Sequence, residues 1–175
     1  MTFGTYGFMA SYLNTYMQMP LNITSLIITF ALAVDALLEP FIALLADKIG
    51  YLKIIIPGML GMMLFSIPIF YLLSSGDIFL TTIGLTSMSI LIAVIYAPLN
   101  AYMVTLFPKQ YRYSGFGISF HIGISLFGAT APLVMIWLIE KTGNIMSPAL
   151  YYIFGSFIGL VALAICEMGR RKGVM

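Results

Sequence analysis

Charge is what this sequence has least of. Of 175 residues, 8 are Lys or Arg and 6 are Asp or Glu, 8% in all, where a soluble domain carries roughly 25%. So few charges cannot cover a water-facing surface, and with 61% of residues hydrophobic and a mean hydropathy of +1.05 the soluble classes fall away. A net charge of +2 supplies no basic stripe to neutralise phosphates, so no nucleic-acid partner is expected. The single cysteine, Cys166, excludes a disulfide framework and any multi-cysteine metal site within the chain. With His121 as the one histidine and no Cys near it, no metal ligand set is expected. Also missing are a phosphate-binding loop and an activated Ser, Cys or Lys constellation, so neither an enzyme nor a cofactor is expected. Met1 is not followed by a basic segment and a small-residue cleavage site, so no signal peptide is expected. Ten-residue alternating patterns are absent too, which removes the membrane β-barrel.

What is present is a series of long apolar runs, and the expected solvent is a lipid bilayer. A bilayer core of about 30 Å needs about 20 apolar residues per helix. Charge-free runs cover residues 1–34, 54–76, 78–108, 113–139 and 142–166. The first is broken at Met19-Pro20-Leu21-Asn22, a turn signal because proline ends helices and Asn favours caps. The expected fold class is therefore all-α integral membrane, one six-helix domain over 1–175, with helices at about 3–18, 23–46, 53–74, 78–107, 114–140 and 147–168. The first is short for a span, as if clipped; the fourth is long, with Pro98 as a place to kink. Helices three and six are nearly all apolar and read as peripheral and lipid-facing, with Gly155 and Gly159 at small-residue spacing.

Orientation follows from the basic residues. Lys48, Lys53, Lys109, Arg112, Arg170, Arg171 and Lys172 follow even-numbered helices, and only Lys141 lies on the other side. Both termini are therefore expected in the cytoplasm.

Three segments are more than hydrophobic filler. Pro40-Phe-Ile-Ala-Leu-Leu-Ala-Asp47-Lys48-Ile-Gly50-Tyr51 joins helices two and three. It resembles the short cytoplasmic loop of major facilitator superfamily transporters, roughly P-x-x-G-x-L-S-D-R-x-G-R, with Ala43 for the first Gly and Tyr51 for the last Arg. Leu106-Phe107-Pro108-Lys109-Gln110-Tyr111-Arg112-Tyr113-Ser114-Gly115, with Phe127-Gly128-Ala-Thr-Ala-Pro132 after it, is similar to a stretch of the metabolite:proton symporter family, which includes proline/betaine transporters. Thr105 stands near that family's acidic position and His121 where Asn is commoner. Met146-Ser-Pro148-Ala-Leu-Tyr151-Tyr152 resembles the entrance to its last helix. The resemblance covers nearly the whole chain and implies the C-terminal half, helices seven to twelve, of a twelve-helix transporter in a bacterial inner membrane.

The polar groups within the spans are the candidate site. Asp35 and Glu39 lie four apart, on one face of helix two, with Asp35 about mid-bilayer. An ionised carboxylate there costs at least about 2.5 kcal/mol on insertion scales, and two side by side repel, so the pair is expected to hold a proton at neutral pH. They are the candidate proton carriers, or else face cations on a partner chain or a wet cavity. His121, with Gly117, Ser125 and Gly128 at helical spacing, is either a proton relay or a packing histidine. Tyr12, Asn14, Tyr96, Asn100 and Ser125 are candidate walls of a substrate cavity, aromatic faces suiting an ammonium group, while Thr5 and Thr15 add polar groups to helix one. Tyr16, Tyr71 and Tyr113 fit an interfacial belt better. Asp47 is placed to accept from free backbone N–H groups of the next helix, and Lys48, Gly50, Pro108 and Arg112 are the remaining loop-motif residues.

Taken together, the resemblance implies proton symport of a small polar metabolite or osmolyte, across two halves that rock about a midplane site. A half needs a partner: an N-terminal half chain or a second copy. The alternatives are a truncated remnant without transport, or a six-helix membrane assembly or scaffold protein.

Overall fold

The computed structural model describes residues 2–171; the side chains of Arg170 and Arg171, and Lys172 altogether, lie outside the described residues. The helices are α1 (Thr2–Ser11), α2 (Leu21–Ile49), α3 (Leu52–Leu73), α4 (Ile78–Thr105), α5 (Arg112–Gly123), α6 (Ala131–Thr142) and α7 (Pro148–Arg171). α1 runs into a π-helical turn at Tyr12–Tyr16, and another at Ile124–Gly128 links α5 to α6. The described residues contain no strand. Five helical stretches are long and apolar enough to cross a membrane: Leu21–Ile49, Leu52–Leu73, Ile78–Thr105, Arg112–Thr142 and Pro148–Gly169. The boundaries expected for helices two to six fall within a few residues of these ends, while the first expected helix, 3–18, is not among the five: α1 stops at Ser11 and passes into a π turn.

The turns explain the boundaries. Pro20 opens α2, and Gly50 closes it at φ +102°, on the side of backbone space that a side chain resists. Asp77 caps α4 by accepting the Phe79 N–H at 2.8 Å. Gly143, left-handed at φ +65°, terminates α6 and donates to the Ile139 carbonyl at 2.8 Å.

Lipid supplies no hydrophobic drive between helices, so close packing has to hold them, and glycine provides it. A Cβ on Gly58 would meet Val94 at 2.9 Å and one on Gly84 would meet Leu72 at 3.1 Å, so α3 and α4 touch nearly backbone to backbone. The third helix has two faces: α3 buries Ile54, Ile55, Gly58, Met59, Met62, Ser66, Ile69, Phe70 and Leu73 against α4 and α7, while Leu60, Leu64, Phe65, Ile67 and Tyr71 face outward as expected of a lipid-facing helix. Gly159 of α7 is used inside the chain, against Met59 at 2.9 Å. The outer face of α7 does look outward, with Leu150, Phe154, Phe157, Val161 and Ile165 exposed.

The core is centred on the first helical segment. Tyr6, Phe8, Met9, Tyr12 and Leu13 are buried there with Ala31, Phe70, Leu85, Met88 and Met135. α1 reaches the Arg112–Thr142 span through Gly4, whose missing Cβ leaves room for the Gly128 carbonyl and for Ala131.

Candidate functional site

Backbone polar groups in the interior of a membrane helix are satisfied within it, so interior chemistry in such a bundle comes from side chains. The described helices bury one carboxylate deeply: Asp35 of α2, 4% exposed. α2 faces α4 and α1 at this level, and each supplies a hydroxyl. The Tyr6 hydroxyl of α1 lies 3.2 Å from Asp35 Oδ2, to which it donates, and 2.8 Å from Ser89 Oγ of α4. Ser89 also reaches back to the Leu85 carbonyl at 3.0 Å. Tyr6 and Ser89 are buried with it. The other carboxylate oxygen, Oδ1, is enclosed and has no hydrogen-bond partner. A buried polar atom left so is costly, and sites of function are where such costs are kept.

Next to Tyr6, Thr5 is also buried and is hydrogen bonded in another direction, by the Tyr152 hydroxyl of α7 at 3.1 Å. Two adjacent residues of α1 thus tie it to three other helices. Sequence reasoning missed Tyr6, Ser89 and Tyr152. A tyrosine or serine in an apolar helix has no distinguishing signal, and their partners lie 29, 83 and 147 residues away.

The expected carboxylate pair is divided. Glu39 is exposed on α2 while Asp35 is enclosed. Four residues advance about 6 Å along a helix and turn about 40° around it, enough to leave the seam with α1 and α4. His121 is exposed on α5, its ring edge-on to Phe120 at 6.0 Å. The expected continuous face of Gly117, His121, Ser125 and Gly128 is broken. The π turn, whose Ala129 N–H reaches the Ile124 carbonyl at 3.0 Å, shifts the phase so that Gly128 is buried while Ser125 stays exposed.

Among the expected cavity residues, Tyr12 is corrected to a core residue. It is fully buried, packed on Phe8, Tyr16 and Phe70, with its hydroxyl on the Ile145 carbonyl at 3.2 Å. Asn14 is exposed and closes the turn after α1, donating to the Met19 carbonyl at 3.0 Å. Tyr96 is half-buried against the main core. Asn100 is half-buried, with its Oδ1 enclosed and without a hydrogen-bond partner. Tyr71 and Tyr113 are exposed, as belt residues are.

The loop motifs fold on themselves. Asp47, expected to accept from the free N–H groups of the next helix, does not cap α3; it accepts the Tyr51 hydroxyl at 2.9 Å, four residues on. That bond holds the Tyr51 phenol above its ordinary range, because losing its proton would set two anions together. The residue standing in the motif's arginine place is thus the one that pairs with the aspartate in this chain. Lys48 is exposed in the last turn of α2, where its charge suits the helix terminus. Beyond α4, Arg112 Nε donates to the Phe107 carbonyl at 3.4 Å, and the Phe107 ring covers Gly115, where a Cβ would sit 2.5 Å from it. Pro108 lies exposed between them. These residues shape the turn from α4 into α5.

Comparison with known proteins bears on this arrangement. The family model described as Major Facilitator Superfamily matches residues 1–172. A protein of Staphylococcus haemolyticus named a proline/betaine transporter is 35% identical over 93% of this chain, which covers 35% of the relative. The ectoine/proline transporter ProP of Corynebacterium glutamicum is 30% identical over 95% of the chain and 34% of the relative. The glycine betaine/proline/ectoine/pipecolic acid transporter OusA of Dickeya dadantii is 28% identical over 90% of the chain and 32% of its own length. No solved structure matches. The chain spans about a third of the length of these relatives. An all-helical chain with five membrane-long apolar spans, matched by the family model from residue 1 to residue 172, belongs to the Major Facilitator Superfamily.

Proposed function

We propose that this chain is the C-terminal half of a secondary transporter that moves a proline- or betaine-like osmolyte together with protons across a bacterial inner membrane, both termini facing the cytoplasm. The relatives' names carry the substrate class. The observation that carries the coupling is Asp35: a carboxylate 4% exposed, with one oxygen on the Tyr6 hydroxyl and the other enclosed and unpartnered. A group held that way changes its charge only when the surrounding helices let water or a proton in, which is what alternating access requires. Asp35 is the carrier in this reading. Exposed Glu39 and His121 belong to the surface on which a partner half rests, and Tyr96, Asn100 and Ser125 to the wall it completes.

In this reading an N-terminal half supplies the other side of a midplane site, whichever chain carries it. Vesicles holding this chain alone, and vesicles holding it with the N-terminal half of the Staphylococcus haemolyticus relative, test this directly. Uptake of labelled proline or betaine under an inward proton gradient is expected only in the second set. Uptake by the chain alone points to self-association, and uptake in neither leaves a membrane remnant or scaffold.

A further inference from the structure

The Tyr6 hydroxyl stands between a group that titrates and one that does not. It lies 3.2 Å from Asp35 Oδ2 and 2.8 Å from Ser89 Oγ, and Ser89 Oγ also lies 3.0 Å from the Leu85 carbonyl. Each hydroxyl owns one hydrogen and can accept; an ionised carboxylate only accepts, and a protonated one donates. Among the arrangements these rules allow, two run the whole chain in opposite directions, the second with the acid proton on Oδ2. With Asp35 ionised, Tyr6 donates to Oδ2 and Ser89 donates to Tyr6. With Asp35 protonated, the acid donates to Tyr6, Tyr6 donates to Ser89, and Ser89 donates to the Leu85 carbonyl.

We propose that Tyr6 and Ser89 form a hydroxyl relay whose direction is set by the proton on Asp35, so that α1 and α4 register the charge state of α2. The proposal rests on Asp35 being the proton carrier and deepens that reading. No hydroxyl loses its own hydrogen in the change. Two C–O bonds rotate, and the proton that enters or leaves is the one on the carboxyl group, whose Oδ1 is unpartnered.

The two arrangements are not mechanically equal. A hydroxyl on an ionised carboxylate makes the stronger, charge-assisted bond, so α1 is drawn to α2 in one state and held more weakly in the other. α1 is well placed to pass this on: Thr5 holds Tyr152 of α7, and Gly4 lies against Gly128 of the π turn between α5 and α6. Little else competes electrostatically. α1 and α4 carry no charged residue, α3 carries only Lys53 in its first turn, and the titratable groups facing Asp35 are Tyr6 and, one turn along α2, Glu39. Tyr6 is a positioning residue in this scheme, acting on substrate only through Asp35.

Infrared difference spectra of the reconstituted full chain, taken through a pH titration, read both ends of the relay. Asp35→Asn identifies the carboxylic-acid stretch, and Tyr6→Phe, or tyrosine ring-labelled at position 6 alone should that variant fail to fold, identifies the Tyr6 C–O band among the 11 tyrosines. The Tyr6 band is expected to move with the same midpoint as the Asp35 acid band appears. It should stop moving in Asp35→Asn, and its excursion should shrink in Ser89→Ala while the acid band persists. An acid band that titrates beside a stationary Tyr6 band overturns the relay and leaves the Asp35 reading standing. A spectrum in which no acid band at any pH is lost in Asp35→Asn overturns both.

Discussion

Tyr6 and Asp35, 29 residues apart in the chain, meet at 3.2 Å between the first two helices, with Ser89 of α4 2.8 Å from the same hydroxyl. Three helices thereby converge on one ionisable group in a region otherwise made of hydrocarbon. Lysine-like ammonium or guanidinium partners are absent from α1 and α4, so the carboxylate is managed by neutral hydroxyls. That suits a group whose charge must come and go better than a fixed ion pair would.

The division between Asp35 and Glu39 predicts unequal consequences. With the partner half present, Asp35→Asn should lower proton-driven uptake of labelled proline at least about tenfold, the equivalent of about 1.4 kcal/mol, while sparing exchange of substrate across vesicles without a gradient. Glu39→Gln, at an exposed position, should change uptake less than about threefold, under about 0.7 kcal/mol. Equal losses in the two variants would remove the distinction.

Gly4 is predicted to be intolerant and Gly7 tolerant, although both sit in α1. A Cβ on Gly4 collides with the Gly128 carbonyl and lies 3.3 Å from Ala131, whereas nothing stands within 4 Å of one on Gly7. Gly4→Ala should cost about 1–3 kcal/mol by overpacking, and Gly7→Ala should be neutral or gain up to about 1 kcal/mol from helix propensity. Thermal unfolding of each variant in detergent separates them.

The tyrosine pair at the start of α7 holds two spans. Tyr151 donates to the Phe127 carbonyl in the π turn at 2.9 Å, and Tyr152 to Thr5 in α1 at 3.1 Å. Tyr151→Phe and Tyr152→Phe should each lose about 0.6 kcal/mol, the mean for such bonds in membranes. The two rings pack edge to face with centroids 6.0 Å apart, so the double variant should depart from the sum by a coupling of about 0.5 kcal/mol or more. Denaturant titration followed by helical circular dichroism measures all three.

Gly50, at φ +102°, carries the reversal from α2 into α3. Open space surrounds it, so backbone strain alone sets the penalty of a side chain there. Gly50→Val should cost about 1–3 kcal/mol, seen as a lower melting temperature with the helix content of the folded state unchanged. A melting temperature equal to the wild type would show that the loop relaxes.

The spans were legible because charge, proline and glycine punctuate a uniformly apolar chain: Pro20, Gly50, Asp77 and Gly143 all sit where the helices stop or start. Asp35 was legible for the same reason, as a charge where none is cheap. Its surroundings were not, since Tyr6 and Ser89 reach it only through the packing of α1 on α2 and α4. The π turn at Ile124–Gly128 was equally hidden, because a five-residue hydrogen-bond step leaves no trace in composition. It moved Gly128 inward and left His121 and Ser125 outside, undoing a face that regular helical spacing had drawn. Tyr12 read as a cavity residue because its polarity was visible and its packing against Phe70 was not.

The central claim is that this half carries the proton, and proton movement triggered by substrate tests it most directly. Vesicles holding this chain with an N-terminal half, loaded with a pH-sensitive dye and given proline or betaine without an imposed gradient, should acidify inside as substrate enters. Asp35→Asn vesicles should take up substrate with no acidification. Acidification undiminished in Asp35→Asn would contradict the account and move the coupling site out of this chain.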